Sequence, residues 1–179
     1  MAIPFFQFFQ ILKLFVEIQK FDQWYIWVLP IFALGLWTFA FIKQIIFQIP
    51  VGGRPASDIE IMLIGLIPIS IIALFRFIKL TTKIDSNLLL VCLFPFCSKC
   101  VSIRSIESIE FLKYKFVGFG CRLGTEYGTV FNVKGNQGFQ ILTKNGDRFL
   151  VGTQKSDEIQ ALCAKLGINI INSDRNIKM

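Results

Sequence analysis

Hydrophobic and polar positions divide this chain into three regimes. Residues 25–48 and 59–80 are apolar almost without interruption, whereas from Thr81 onward short apolar runs alternate with polar clusters. A helix of about 20 residues crosses the roughly 30 Å hydrocarbon layer of a bilayer, so each long run predicts one membrane span. The first opens on Trp24-Tyr25-Ile26-Trp27, aromatic residues of the kind that settle at headgroup level. It continues from Val28 to Phe47, broken by Pro30, Gly35, Thr38 and Lys43, the last near the far end where it can snorkel. The second runs from Ile59 to Leu80, with Pro68 and Ser70 inside and Arg76 and Lys79 at its exit. Between them Ile49–Asp58 is short and rich in Gly and Pro, and Ser57 or Asp58 is placed to cap the second helix. The expectation is a tight antiparallel hairpin over residues 24–80.

Residues 4–20 carry polar positions at 7, 10, 13, 17 and 20, a spacing that draws one narrow polar stripe on an otherwise greasy helix. An amphipathic helix over residues 1–23 is therefore predicted. It either lies in the membrane interface or packs on a partner subunit. With no basic start and no small-residue cleavage site, a cleaved signal peptide is not expected.

Beyond Thr81 the elements shorten. Asn87–Phe94 reads as a buried strand. Ile103–Lys115, Tyr127–Val133, Gly138–Thr143 and Arg148–Thr153 are of strand length, and the last two flank Lys144-Asn145-Gly146-Asp147, whose Asn-Gly is a strong hairpin signal. The closing segment changes period: Ser156 suits an N-cap, Asp157 and Glu158 a first turn, and Ile159, Leu162, Cys163 and Leu166 one face before Gly167. The economical assembly is α+β: a transmembrane helical hairpin, then residues 81–168 as an antiparallel β-barrel or sandwich capped by a C-terminal helix, and a tail at 169–179.

Composition agrees with this division. The chain has 179 residues, 54% of them hydrophobic and 20 of them Phe, more apolar than an ordinary domain. Of the net charge of +7, residues 81–179 carry +5, from 13 Lys/Arg against 8 Asp/Glu. A weakly basic head suits an anionic leaflet, but no Lys/Arg run is dense enough for nucleic acid. Lys13 and Lys20 precede the hairpin and Arg76, Lys79 and Lys83 end or follow it, while the connecting loop holds Arg54 beside Asp58 and Glu60. Positive flanks favour the cytoplasmic side, so both termini are expected there.

Candidate chemistry is sparse. The chain contains no His, the commonest general base and a common partner of Cys at zinc. Cys97 and Cys100 form a CxxC that Cys92 and Cys121 can approach in a folded sheet, yet a second CxxC is missing, and reduced, packed cysteines are the expectation. Gly118–Gly124 lacks the strand, helix and Lys-Ser/Thr ending of a phosphate loop. Glu107 and Glu110 stand three apart on a strand, so they point to opposite faces and form no catalytic dyad. No catalytic residue, cofactor or metal site is expected. Arg122 and Lys134 remain as contacts for an anion or a partner, or as a solvated basic face.

Three segments carry a family resemblance: Gly118–Arg122, Phe131–Gly138 and Asn145–Gln154, each ahead of the final helix. They resemble the bacterial pleckstrin-homology-like domain. Gln19–Trp27, Gln44–Ile46 and the Pro50…Pro55 link are similar to an uncharacterised bacterial family of small two-span membrane proteins with such a head. The resemblance covers most of residues 14–166 and implies a place in the bacterial cytoplasmic membrane but no activity. Cys97–Cys100 departs from its usual pattern. Two functions are left open: a non-catalytic accessory or scaffold subunit bound to other integral membrane proteins, or a module that binds lipid headgroups through its basic loops.

Overall fold

The computed structural model describes residues 14–53, 55–114 and 118–172. The chain forms two units, a helical one over Phe21–Ile78 and a β unit built from the residues up to Lys20 together with those from Lys79 onward. The helical unit is thus an insertion in the sequence of the β unit.

In the helical unit, α1 (Trp24–Phe41) continues into a π-helical turn (Ile42–Ile46), and α2 (Asp58–Phe77) follows. A capping box starts α2: the Ser57 hydroxyl accepts from Glu60 N at 3.3 Å and the Glu60 carboxylate accepts from Ser57 N at 2.7 Å, satisfying two orphan amides. The helices are antiparallel. Trp37 Nε1 donates to the Ile61 carbonyl at 2.8 Å near one end, and Trp27 stands edge-on to Phe75 at 6.4 Å near the other. The Trp37 indole lies against Gly65, where an added Cβ would sit only 2.2 Å from the ring. In α1 and α2 the buried residues are Pro30, Ile61, Gly65 and Pro68, while residues such as Leu29 and Ile59 point outward on all sides. Both helices are long and apolar enough to cross a membrane.

The β unit holds β1 (Phe15–Lys20), β2 (Lys79–Ile84), β3 (Leu88–Phe94), β4 (Cys97–Ser102), β5 (Ile106–Lys113), β6 (Gly120–Thr125), β7 (Gly128–Asn132), β8 (Gln137–Thr143), β9 (Arg148–Gly152), α3 (Ser156–Lys165) and β10 (Ile170–Asn172). One sheet runs β1-β2-β3-β4, antiparallel throughout; the other runs β10-β5-β8-β9-β7-β6, with parallel pairing at β10·β5 and β7·β9. The fold is therefore α+β, but the sheets do not close into the expected barrel. Side chains join the two sheets: Lys99 of β4, an edge strand of the first, lies over the Phe149 ring of β9, an inner strand of the second, at 4.7 Å and pairs with Asp147 at 3.6 Å.

Alternation builds the core. Leu80 and Ile84 on β2 and Leu89, Val91 and Leu93 on β3 turn inward, as do Ile109, Phe131, Phe139, Ile141, Phe149 and Val151 in the second sheet. β3 is buried on one face only, whereas its sequence reads as a wholly buried strand. α3 buries Ile159 and Cys163 and lies beside β8 and β10, leaving Leu162 and Leu166 half-buried. It ends on Gly167 at φ +69°, with Ile168 N donating to Cys163 O and Gly167 N to Ala164 O, a Schellman arrangement that glycine permits.

The largest correction falls at the front. Phe15–Lys20 is a strand, not the end of a helix, and the rest of the expected amphipathic segment, residues 1–13, lies outside the described residues. β1 also inverts the expected polarity. Glu17 and Gln19 face inward, while Val16 and Ile18 face out. The buried Glu17 carboxylate accepts from Thr153 Oγ1 at 2.5 Å, Gln154 N at 2.8 Å and Gln19 Nε2 at 3.0 Å, and Gln19 also donates to Gly152 O at 2.8 Å. Buried carboxylates persist only with such donors. This network ties the strand before the hairpin to the chain just after β9.

Candidate functional site

The second sheet's outward face carries a groove of about 450 Å³. Its residues follow from register. On β5 the even positions Ser108, Glu110 and Leu112 point away from the core, opposite in direction to Ile109. Pairing extends them into two rungs: Ile171 beside Glu110 beside Gln140, and Ser108 beside Leu142 beside Arg148. Lys113 and the β6–β7 turn, Glu126-Tyr127, complete the lining.

A small apolar cluster braces that turn. Tyr114, Val130 and Leu150 are buried, with Leu112 and Tyr127 packed on them, and the Tyr114 and Tyr127 rings lie 6.4 Å apart. Thr125 Oγ1 donates to Gly128 O at 2.8 Å and accepts from Tyr127 N at 3.2 Å. Gly128, at φ +81°, is compelled twice over: a Cβ there would stand 2.2 Å from the Arg148 carbonyl. Burial first, then a hydrogen bond to Glu126 and the charges of Glu126 and Glu110, push the Tyr127 phenol up. It therefore stays protonated at neutral pH, a donor rather than a base. Carboxylates at Glu110 and Glu126, cations at Lys113 and Arg148, a phenol, an amide and an apolar floor make a surface suited to a segment carrying both signs of charge.

Arg122 and Lys134 do not line this groove. Arg122 is exposed on β6 with its guanidinium over Gly118, whose carbonyl accepts from Asn132 Nδ2 at 3.3 Å. Lys134 is half-buried two residues beyond Asn132, and its carbonyl accepts from Gln154 Nε2 at 2.9 Å. Both thus flank Asn132 at one end of the β6–β7 ribbon.

The five cysteines are unbridged. Cys97 hydrogen-bonds with Cys121 across the sheet edges, with Cys92 nearby, and burial followed by these two thiols pushes it up to about 12. Cys100, three residues on along a strand, faces the other way, toward Asp85, and burial followed by that charge raises it. Among the described residues, no group of three or more His, Cys, Asp or Glu is arranged to hold a metal ion.

No protein-family model matches the chain, and no curated protein matches it.

Proposed function

We propose that this protein is a membrane-anchored, non-catalytic interaction module: an accessory or scaffold subunit whose β unit holds a segment of another membrane protein in the groove around Tyr127. The observation that carries this reading is the groove itself, where Glu110, Glu126, Lys113 and Arg148 surround Leu112, Leu142 and Ile171. Such mixed lining suits recognition, and the protonated Tyr127 is poorly fitted to act as a base.

The anchor is the helical unit. Both long helices expose apolar side chains that water does not accommodate in such number, so we read them as two spans in a bacterial cytoplasmic membrane. The chain enters α1 from Lys20 and leaves α2 into Lys79, and these two residues are paired across β1 and β2. An even number of spans and a common exit favour one side for the whole β unit, and the positive flanks favour the cytoplasm. Two sheets with a C-terminal helix also support the pleckstrin-homology-like reading, from which the open edges and the strand ahead of the hairpin depart.

The test is site-specific photocrosslinking. A photoreactive residue at Gln140, in native membranes, is expected to give one discrete protein adduct that Tyr127→Ala abolishes without reducing the amount of protein. Adducts with lipid alone, or none, would reject the reading. The other function, headgroup binding at Arg122 and Lys134, is supported by their common flank beside Asn132, and lipid adducts from a photoreactive residue there would favour it.

A further inference from the structure

The first sheet ends in an unusual rung. Lys20 pairs directly with Lys79, and Lys79 pairs in turn with Phe94. Like charges opposite one another destabilise an antiparallel ladder, so this rung calls for an anion. Beside it the β3–β4 turn exposes two aromatic rings: Phe94 is 50% and Phe96 59% exposed, and Lys79 Nζ lies 5.8 Å from the Phe94 ring. A soluble surface seldom places two open phenylalanines around a pair of lysines. Connectivity says what covers them. Lys20 is four residues before the start of α1 and Lys79 two after the end of α2. At no more than about 3.6 Å per residue, Lys79 stays within roughly 7 Å of the end of α2, inside the headgroup zone of about 5–8 Å on each side of a bilayer that the helix crosses, and Lys20 is paired beside it.

We propose that Lys20, Lys79, Phe94 and Phe96 form a docking lip for an anionic lipid surface, the lysines meeting headgroup phosphates and the rings entering the acyl boundary. The proposal rests on the membrane reading above and is separate from both the Tyr127 groove and the Arg122–Lys134 flank.

The chain's three tryptophans all lie on α1, so the unmodified protein reports on the hairpin and Phe96→Trp adds a reporter on the lip. The full chain is reconstituted in phosphatidylcholine vesicles with and without phosphatidylglycerol. Emission is then quenched with acyl-brominated lipid or with aqueous iodide. The difference between F96W and parent is expected to be bromolipid-quenched and iodide-shielded when phosphatidylglycerol is present. Lys20→Gln with Lys79→Gln is expected to lower the docking equilibrium about thirtyfold, at roughly fivefold per lysine. Phe94→Trp supplies the same readout if F96W disturbs the turn. An introduced indole open to iodide in both lipid mixtures, over a hairpin quenched by bromolipid, overturns the lip and leaves the anchor standing. A parent that bromolipid does not quench overturns both.

Discussion

The two units of this chain use apolar residues in opposite ways. In the β unit Leu80, Leu89, Phe139 and Phe149 lose nearly all contact with solvent, because alternate positions on each strand turn toward a facing sheet. In the helical unit Leu29, Phe32, Leu63 and Phe77 remain more than half exposed, and α1 and α2 bury only Pro30, Ile61, Gly65 and Pro68. A stripe of hydrophobic residues finds its cover within the protein, whereas a helix that is apolar all round needs another solvent. Under the membrane reading proposed above, the same chemical content marks where water ends.

Substitutions sharpen that contrast. Phe149→Ala is expected to destabilise the β unit by about 3–5 kcal/mol, through lost transfer energy and a cavity, in urea unfolding of the detergent-solubilised protein followed by amide exchange in the β strands. Leu63→Ala, at a position of α2 that is 58% exposed, is expected to leave those amides unchanged. Equal effects would break the comparison. Glu17→Ala should cost the same unit about 3 kcal/mol, because Thr153, Gln154 and Gln19 lose their common acceptor, and Glu17→Gln should cost less. Within the helical unit, Gly65→Ala drives a Cβ into the Trp37 ring and is expected to lower stability by about 1–3 kcal/mol in detergent. Gly35→Ala meets nothing within 4 Å and should be neutral or mildly stabilising.

The smallest effect is a pH dependence. Burial raises the Cys163 thiol from 9.0 to about 11, so the folded state holds its proton longer than the unfolded state does. Stability from this site is full below pH 9 and is lost as pH rises toward about 11. Cys163→Ala should flatten that decline in a thermal melt, whatever its effect at neutral pH.

Long periodic segments were the legible part of the fold. The two apolar helices, the Ser57 cap, the hairpin at Asn145-Gly146 and the last helix follow local rules. Ser156, however, expected as an N-cap, is the first helical residue, and the N-cap is Lys155, with no side-chain cap bond. β1 was illegible because two of its three buried positions are the polar Glu17 and Gln19, and Glu17 falls on a helical stripe with Lys13 and Lys20. Only the donors around Thr153, more than 130 residues away, make their burial sensible. β2 hid in the tail of the second apolar run, and β4 and β6 carry too much Ser, Cys and Gly to read as strands. The groove was hidden for a related reason. Glu110, Tyr127 and Arg148 are distant in sequence and meet through pairing across β5, β8, β9 and β7. One signal was available: Ser108, Glu110 and Leu112 form a mixed stripe opposite Ile109, as expected of a strand used on both faces.

The most direct test of the account is flotation. The full chain, made in a cell-free system with liposomes and washed in high salt, should rise with the vesicles and stay there until detergent is added. Recovery as a monodisperse protein in the aqueous phase, with neither lipid nor detergent, would contradict the claim that α1 and α2 find their cover in a bilayer.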